Sequence, residues 1–181
     1  VIARDDNQAL AGFTEPRLAV LPDGSLLAIL RTECAQTGPM YRTRSIDGGK
    51  TWGELKKLCP FGVLPQPLTL ENGVTVLAYG RPGVHLLFSS DGKGEEWENP
   101  THLVVESFEG TGVSGEGYGF QKGEDPKGRP KQTRTSGYTG LVATGRDSFL
   151  IAYDQFDYPN ADGAPRKTIL VREITVASNG G

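Results

Sequence analysis

Three observations predict an all-β chain. Asp-Gly and Asn-Gly pairs sit between apolar runs at Asp23-Gly24 and Asn72-Gly73, where both residue types tolerate the positive φ of a tight hairpin turn. Short runs such as Leu26 to Leu30 and Val74 to Tyr79 are apolar without alternation, as in strands buried on both faces. The 181 residues include 25 Gly and 12 Pro, which suits many tight turns, and no stretch carries a helical period.

The elements follow in order. A first hairpin runs from Leu18 to Leu30 and turns at Pro22-Asp23-Gly24. A second runs from Leu68 to Tyr79 and turns at Glu71-Asn72-Gly73, and a third from Leu141 to Tyr153, turning near Gly145-Arg146-Asp147. Each is followed by one further strand: Met40 to Arg44, Val84 to Phe88, and Thr168 to Ile174.

The first two of these strands run into similar turns. Ser45-Ile46-Asp47-Gly48-Gly49-Lys50-Thr51-Trp52 is the clean copy, and Ser89 to Trp97 is a looser one, with an extra residue and no Thr. Asp47 and Asp91 lie 44 residues apart, the size of one four-stranded propeller blade. The chain is therefore read as a single partial β-propeller domain over 1–181. Its blades fall near 15–60, 61–106 and 137–177, and 107–136 is a long inserted loop poor in aliphatic residues.

The recurring turn has a structural logic. Its carboxylate can accept hydrogen bonds from the backbone of its own turn, the glycines let the chain curl, and the tryptophan can fold back onto the sheet. Ser45, Asp47, Gly49, Thr51 and Trp52, with Ser89, Asp91 and Trp97, are assigned as structural. A feature repeated once per blade is a staple of the fold, whereas an active site is built once.

Composition narrows the function. A net charge of −3 and scattered basic residues argue against a nucleic-acid partner. No apolar run approaches the ~20 residues of a membrane helix, and no membrane partner is expected. Cys34 and Cys59 are expected to be buried free thiols rather than a bridge. His85 and His102 have no ligand pattern and are read as structural or exposed. No spacing suits a metal.

At this point the sequence resembles the sialidases (neuraminidases) and their bacterial Asp-box, or BNR-repeat, relatives. In that family the turn described above is the Asp box. Glu15-Pro16, followed by Leu21-Pro22-Asp23-Gly24 and ending at Arg31, resembles the segment with the catalytic Glu and the second arginine of a carboxylate-binding triad. Arg81, a few residues before Ser89, resembles the third arginine, and Tyr138 in Ser136-Gly137-Tyr138-Thr139-Gly140-Leu141 resembles the nucleophilic tyrosine. The resemblance implies the C-terminal half of a six-bladed sialidase-type propeller. It implies an exo-glycoside hydrolase that removes a terminal acidic sugar, sialic acid first, with retention. Tyr138 is then the nucleophile, Glu15 its base, and Arg31 and Arg81 the carboxylate readers. No cofactor is implied, and the family's glycan-active habit makes a secreted or periplasmic location plausible.

The chemistry suits those residue types. Arginine reads a carboxylate through a planar fork that is always charged. The substrate carboxylate repels an anionic nucleophile, which favours a neutral tyrosine activated by a neighbouring base. The sequence also departs from the family pattern. The first triad arginine and the acid/base Asp have no counterpart here, three blades do not close a ring, and Gly62-Val63-Leu64-Pro65-Gln66-Pro67 is unlike the family. A missing N-terminal half, or a second copy of the chain, is expected to complete the ring. Two other readings stay open: a propeller enzyme acting on another acidic glycan such as a uronic acid, and a non-catalytic glycan- or protein-binding propeller.

Overall fold

The computed structural model describes residues 1–4, 11–32, 38–105, 121–124, 130–131 and 134–177. Within them the chain is all-β, with no helix. The first sheet contains β1 (Phe13–Val20), β2 (Leu26–Thr32), β3 (Met40–Ser45) and β4 (Lys56–Cys59), in that order. The second repeats the plan with β5 (Val63–Thr69), β6 (Thr75–Gly80), β7 (Val84–Ser89) and β8 (Glu98–Val104). A short pair, β9 (Gln121–Glu124) and β10 (Pro130–Lys131), falls inside the stretch expected to be only loop. The third sheet holds β11 (Thr139–Ala143), β12 (Ser148–Pro159) and β13 (Pro165–Thr175). All pairings are antiparallel, and no sheet closes on itself. Three open antiparallel sheets of three or four strands are consistent with part of a propeller-like fold. Cys34 lies outside the described residues; Cys59 is a buried free thiol.

The turns form by the chemistry their residues suggest. Asp23 accepts the Ser25 N–H (3.0 Å) and hydroxyl (2.5 Å), and Asn72 Oδ1 accepts the Val74 N–H (3.0 Å). Gly24 and Gly73 take φ of 80° and 90°. The third sheet extends further than its apolar run suggests. β12 and β13 continue past Tyr153 to a turn where Asn160 Oδ1 accepts the N–H groups of Asp162 and Ala164 (both 3.0 Å).

Stacking explains the unbroken apolar runs. Every residue of β6 is buried. Leu77 and Tyr79 point towards the first sheet, meeting Leu27, Ile29, Met40 and Phe61. Val76 and Ala78 point the other way, meeting Phe149, Ile151 and Tyr153 of the third. The middle sheet thus serves two cores. The first strands β1, β5 and β11 lie beside one another in succession, which brings their N-terminal ends to one region.

The two Asp turns form as staples. Asp47 accepts the Thr51 N–H through both oxygens (2.9 and 3.0 Å), the Thr51 hydroxyl (2.5 Å) and the Ser45 hydroxyl (2.8 Å), and Ser45 Oγ accepts the Gly49 N–H (2.9 Å). The hydroxyl and N–H of Thr51 hold the Asp47 carboxyl down to about 2. The looser copy is the more densely bonded. Asp91 accepts the N–H groups of Lys93, Gly94, Glu95 and Glu96 at 2.8–2.9 Å, plus the Ser89 hydroxyl. Partial burial pushes the Asp91 carboxyl up, but the donors, Glu96 N–H foremost, outweigh it and bring it to about 2. Trp97 packs on the core shared by the first two sheets, and the extra residue lets Glu95 reach across to Arg42 (2.9 Å).

Candidate functional site

Three strands carry a bulge of one design. In β1 the ladder passes from Thr14↔Arg31 to Arg17↔Ile29, so Glu15 and Pro16 together face one residue. In β5 it passes from Val63↔Gly80 to Gln66↔Ala78, leaving Leu64 and Pro65. In β8 it leaves Asn99 and Pro100. Proline has no N–H for the ladder, so a bulge accommodates it. The residue before each proline has positive φ: 48° at Glu15, 47° at Leu64 and 53° at Asn99. The Gly62–Pro67 stretch, unlike the sialidase pattern in sequence, is thus the first sheet's Glu15-Pro16 bulge built again.

The bulges place Glu15. Arg31 Nη1 donates to Glu15 Oε1 at 2.8 Å, and the N–H of Leu64, freed from its ladder, donates to Glu15 Oε2 at 2.6 Å. Glu15 is half-buried and Arg31 is 9% exposed. Both carboxylate oxygens are therefore engaged in joining the first sheet to the second. The structure brings Glu15 together with Arg31, and among the described residues it shows no hydrogen bond between Glu15 and Tyr138.

Tyr138 instead meets Arg81. The Arg81 Cζ lies 5.5 Å from the centre of the Tyr138 ring, and Arg81 Nη2 donates to Ser136 O at 3.4 Å. The contact depends on two glycines. A Cβ on Gly80 would lie 1.9 Å from Gly137 O, and one on Gly137 would lie 2.6 Å from Arg81 N. Gly137 also has φ of 76°. Without side chains the second and third sheets approach backbone to backbone, and the guanidinium is laid on the phenol.

Asp154, which the sequence did not single out, orders the turn before Tyr138. Its Oδ1 accepts the Thr135 hydroxyl (2.6 Å) and the Ser136 N–H (2.8 Å), and Thr135 Oγ1 accepts the Gly137 N–H (3.0 Å). Ser136, Tyr138 and Asp154 line an open concavity of about 320 Å³ with Thr139, Ala152, Tyr153 and Ile169. Tyr138 is 50% exposed at its edge. The phenol and the Asp154 carboxylate line this depression, and Arg81 reaches it through its contact with the Tyr138 ring, an arrangement able to bind a carboxylate and move a proton. The only local signal for Asp154 is its place one residue past Tyr153, the cross-strand partner of Thr139.

No protein-family profile matches the sequence, and no curated protein matches it. Solved structures do. One is a crystal structure of a protein of unknown function from Dyadobacter fermentans DSM 18053, with a TM-score of 0.63 and 18% identity over 92% of this chain and 39% of that one. A second is an ulvan lyase of polysaccharide lyase family PL25 bound to -[GlcA(1-4)Rha3S]-, with a TM-score of 0.55 and 14% identity over 88% of this chain and 38% of that one. A further PL25 ulvan lyase structure gives 0.52 and 16% over 78% and 32%. At these identities the likeness is one of fold. The chain spans less than two-fifths of the length of each of these structures.

Proposed function

We propose that this chain is part of a β-propeller enzyme acting on an acidic, uronate-containing glycan, with Arg81 reading the sugar carboxylate and Tyr138 handling a proton beside it. The observation that carries this reading is the Arg81 guanidinium laid on an exposed tyrosine at the edge of an open concavity. That two neighbours of the same fold are ulvan lyases supports an acidic glycan. The three sheets act as blades near 15–60, 61–106 and 137–177. Leu18 and Val20 on the first, and Val142, Ile169 and Val171 on the third, are exposed. On these faces further blades, from more chain or a second copy, would stack to complete a ring.

The chemistry follows from the residue types. A guanidinium that neutralises a uronate carboxylate stabilises the negative charge that builds up when the adjacent carbon loses its proton. The tyrosine beside it takes that proton as its phenolate, and the neutral phenol so formed can return one to the departing oxygen. The sialidase reading needs Glu15 to draw the proton from Tyr138, and the Glu15 oxygens are taken by Arg31 and Leu64. Uronides therefore come before sialosides.

The test is a panel of glucuronate-containing polysaccharides and sialosides given to the propeller with its ring completed and to its Arg81→Lys and Tyr138→Phe variants; the 181-residue chain alone is expected to show little or no activity. Uronate-chain cleavage, lowered at least ~100-fold in each variant, is expected. A rise in ultraviolet absorbance would mark elimination, and new reducing ends without it would mark hydrolysis. Sialic acid release with uronides untouched would restore the sialidase reading. Uronide binding without turnover, indifferent to Tyr138→Phe, would leave a binding propeller.

A further inference from the structure

His85 and His102 lie opposite each other on β7 and β8, and their rings meet edge to face with centres 5.0 Å apart. His85 is fully buried between the rings of Tyr79 and Phe61, whereas His102 is exposed. Two hydrogen bonds fix the tautomers of both. His85 Nε2 lies 2.5 Å from Pro82 O, and a carbonyl only accepts, so the proton of neutral His85 is on Nε2. His85 Nδ1, 2.8 Å from His102 Nδ1, must then accept, so His102 carries its proton on Nδ1.

The far end of this chain is the turn that holds Arg81. The Arg81 N–H donates to Gly83 O at 3.1 Å, and Arg81 itself has φ of 55°. A Cβ on Gly83 would lie 3.1 Å from His85 Nε2 and 2.3 Å from Val104 O, so the glycine leaves the space the imidazole needs. A residue held at positive φ needs its surroundings to keep it there. The His85 ring supplies a bond to the middle carbonyl of that turn.

We propose that His85 and His102 are a positioning pair: a fixed-tautomer relay from the surface strand β8 to the Pro82 carbonyl that holds the Arg81 turn and keeps the guanidinium over Tyr138. The functional half of this inference rests on the carboxylate-reading role of Arg81 proposed above; the structural half does not.

The experiment uses His102, whose exposure lets it be changed without opening the core. His102→Phe keeps a ring and removes the donor, whereas His102→Asn keeps an N–H near the Nδ1 position. Long-range proton–nitrogen NMR on the wild type should show His85 protonated on Nε2 and His102 on Nδ1. In His102→Phe the Arg81 Nε–H and Tyr138 ring signals should shift, and His102→Asn should return them. Titration with glucuronate should show affinity about tenfold weaker in His102→Phe and within about twofold of wild type in His102→Asn. A His85 protonated on Nδ1, or Arg81 and Tyr138 signals unmoved in His102→Phe, would overturn the relay. Wild-type protein that ignores glucuronate while the NMR signals move as stated would refute the functional reading and leave the relay standing.

Discussion

The closest backbone approach next to the candidate site offers a sharp test. In Gly80→Ala the new Cβ would sit 1.9 Å from the Gly137 carbonyl oxygen and 2.4 Å from its Cα, all of it backbone that cannot rotate aside. Restoring an ordinary contact requires the Gly137 segment that leads into β11 to move away from β6 by roughly 1.5 Å in an interior packed at crystal-like density. Overpacking of this kind costs about 2–3 kcal/mol. A displacement of that size in a positioned pair is worth up to ~100-fold in activity. Gly140→Ala is the internal control. It lies on β11, just past Gly137, has nothing within 4 Å of its Cβ position and no positive φ, and should change stability by no more than about 0.5 kcal/mol. Urea unfolding of the three proteins, followed by far-ultraviolet circular dichroism, reads the stabilities. Uronide turnover or glucuronate titration reads the site. Equal midpoints for Gly80→Ala and Gly140→Ala, with the Arg81–Tyr138 signals unchanged, would refute the claim that the bare glycines set this contact.

Three further outcomes are expected. Burial lowers the His85 pKa from 6.5 to about 4. Between those values the unfolded chain binds a proton that the folded chain does not. Stability should therefore be full above pH 6.5 and fall by about 3 kcal/mol as the pH drops to 4. The two Asp turns, lowered from 3.8 to about 2, lose their stabilisation mainly below pH 4, so most of the loss between pH 6.5 and 4.5 belongs to the histidine. Urea midpoints at pH 7.5, 5.5 and 4.5 check this, and an equal slope in His85→Gln would assign the loss elsewhere. Glu15→Gln leaves Arg31 facing a neutral amide where a carboxylate stood, and should cost about 2 kcal/mol, discounted for partial exposure. A variant as stable as wild type but without activity would instead return Glu15 to the chemistry. Asp91→Ala strips four N–H groups of their acceptor and should cost about 2 kcal/mol, with a larger drop in Tm than Asp47→Ala. The reverse order would contradict the bonding seen at the two turns.

What could be read from the sequence was what depends on neighbours in sequence. Asp23-Gly24 and Asn72-Gly73 turn where their side chains bond the next N–H groups, and Val74 to Tyr79 is buried on both faces because its run has no polar phase. Ser45 to Trp52 closes as a staple because donors and acceptor lie within one turn. What escaped reading joins residues far apart. The Glu15–Leu64 bond needs two bulges to face each other across sheets, and nothing local distinguishes Leu64 from any other leucine before a proline. Gly80 and Gly137 are two among 25 glycines until the sheets stack. Local sequence leaves the two histidines structural or exposed, and the structure makes His85 buried and His102 exposed, joined by a bond that only strand register creates.

The two-sidedness of β6 also bears on how the chain opens. A strand whose alternate side chains belong to different cores cannot lose one partner sheet without exposing half of its own residues to water. The outer sheets, each with a single packed face, can fray while the centre holds. In amide hydrogen exchange the β6 protons should be the slowest in the chain, exchanging only when the whole stack unfolds. Those of β1 and β13 should exchange through smaller openings. The middle sheet is then the cooperative unit that couples the Glu15 clasp on one side to the Arg81–Tyr138 contact on the other.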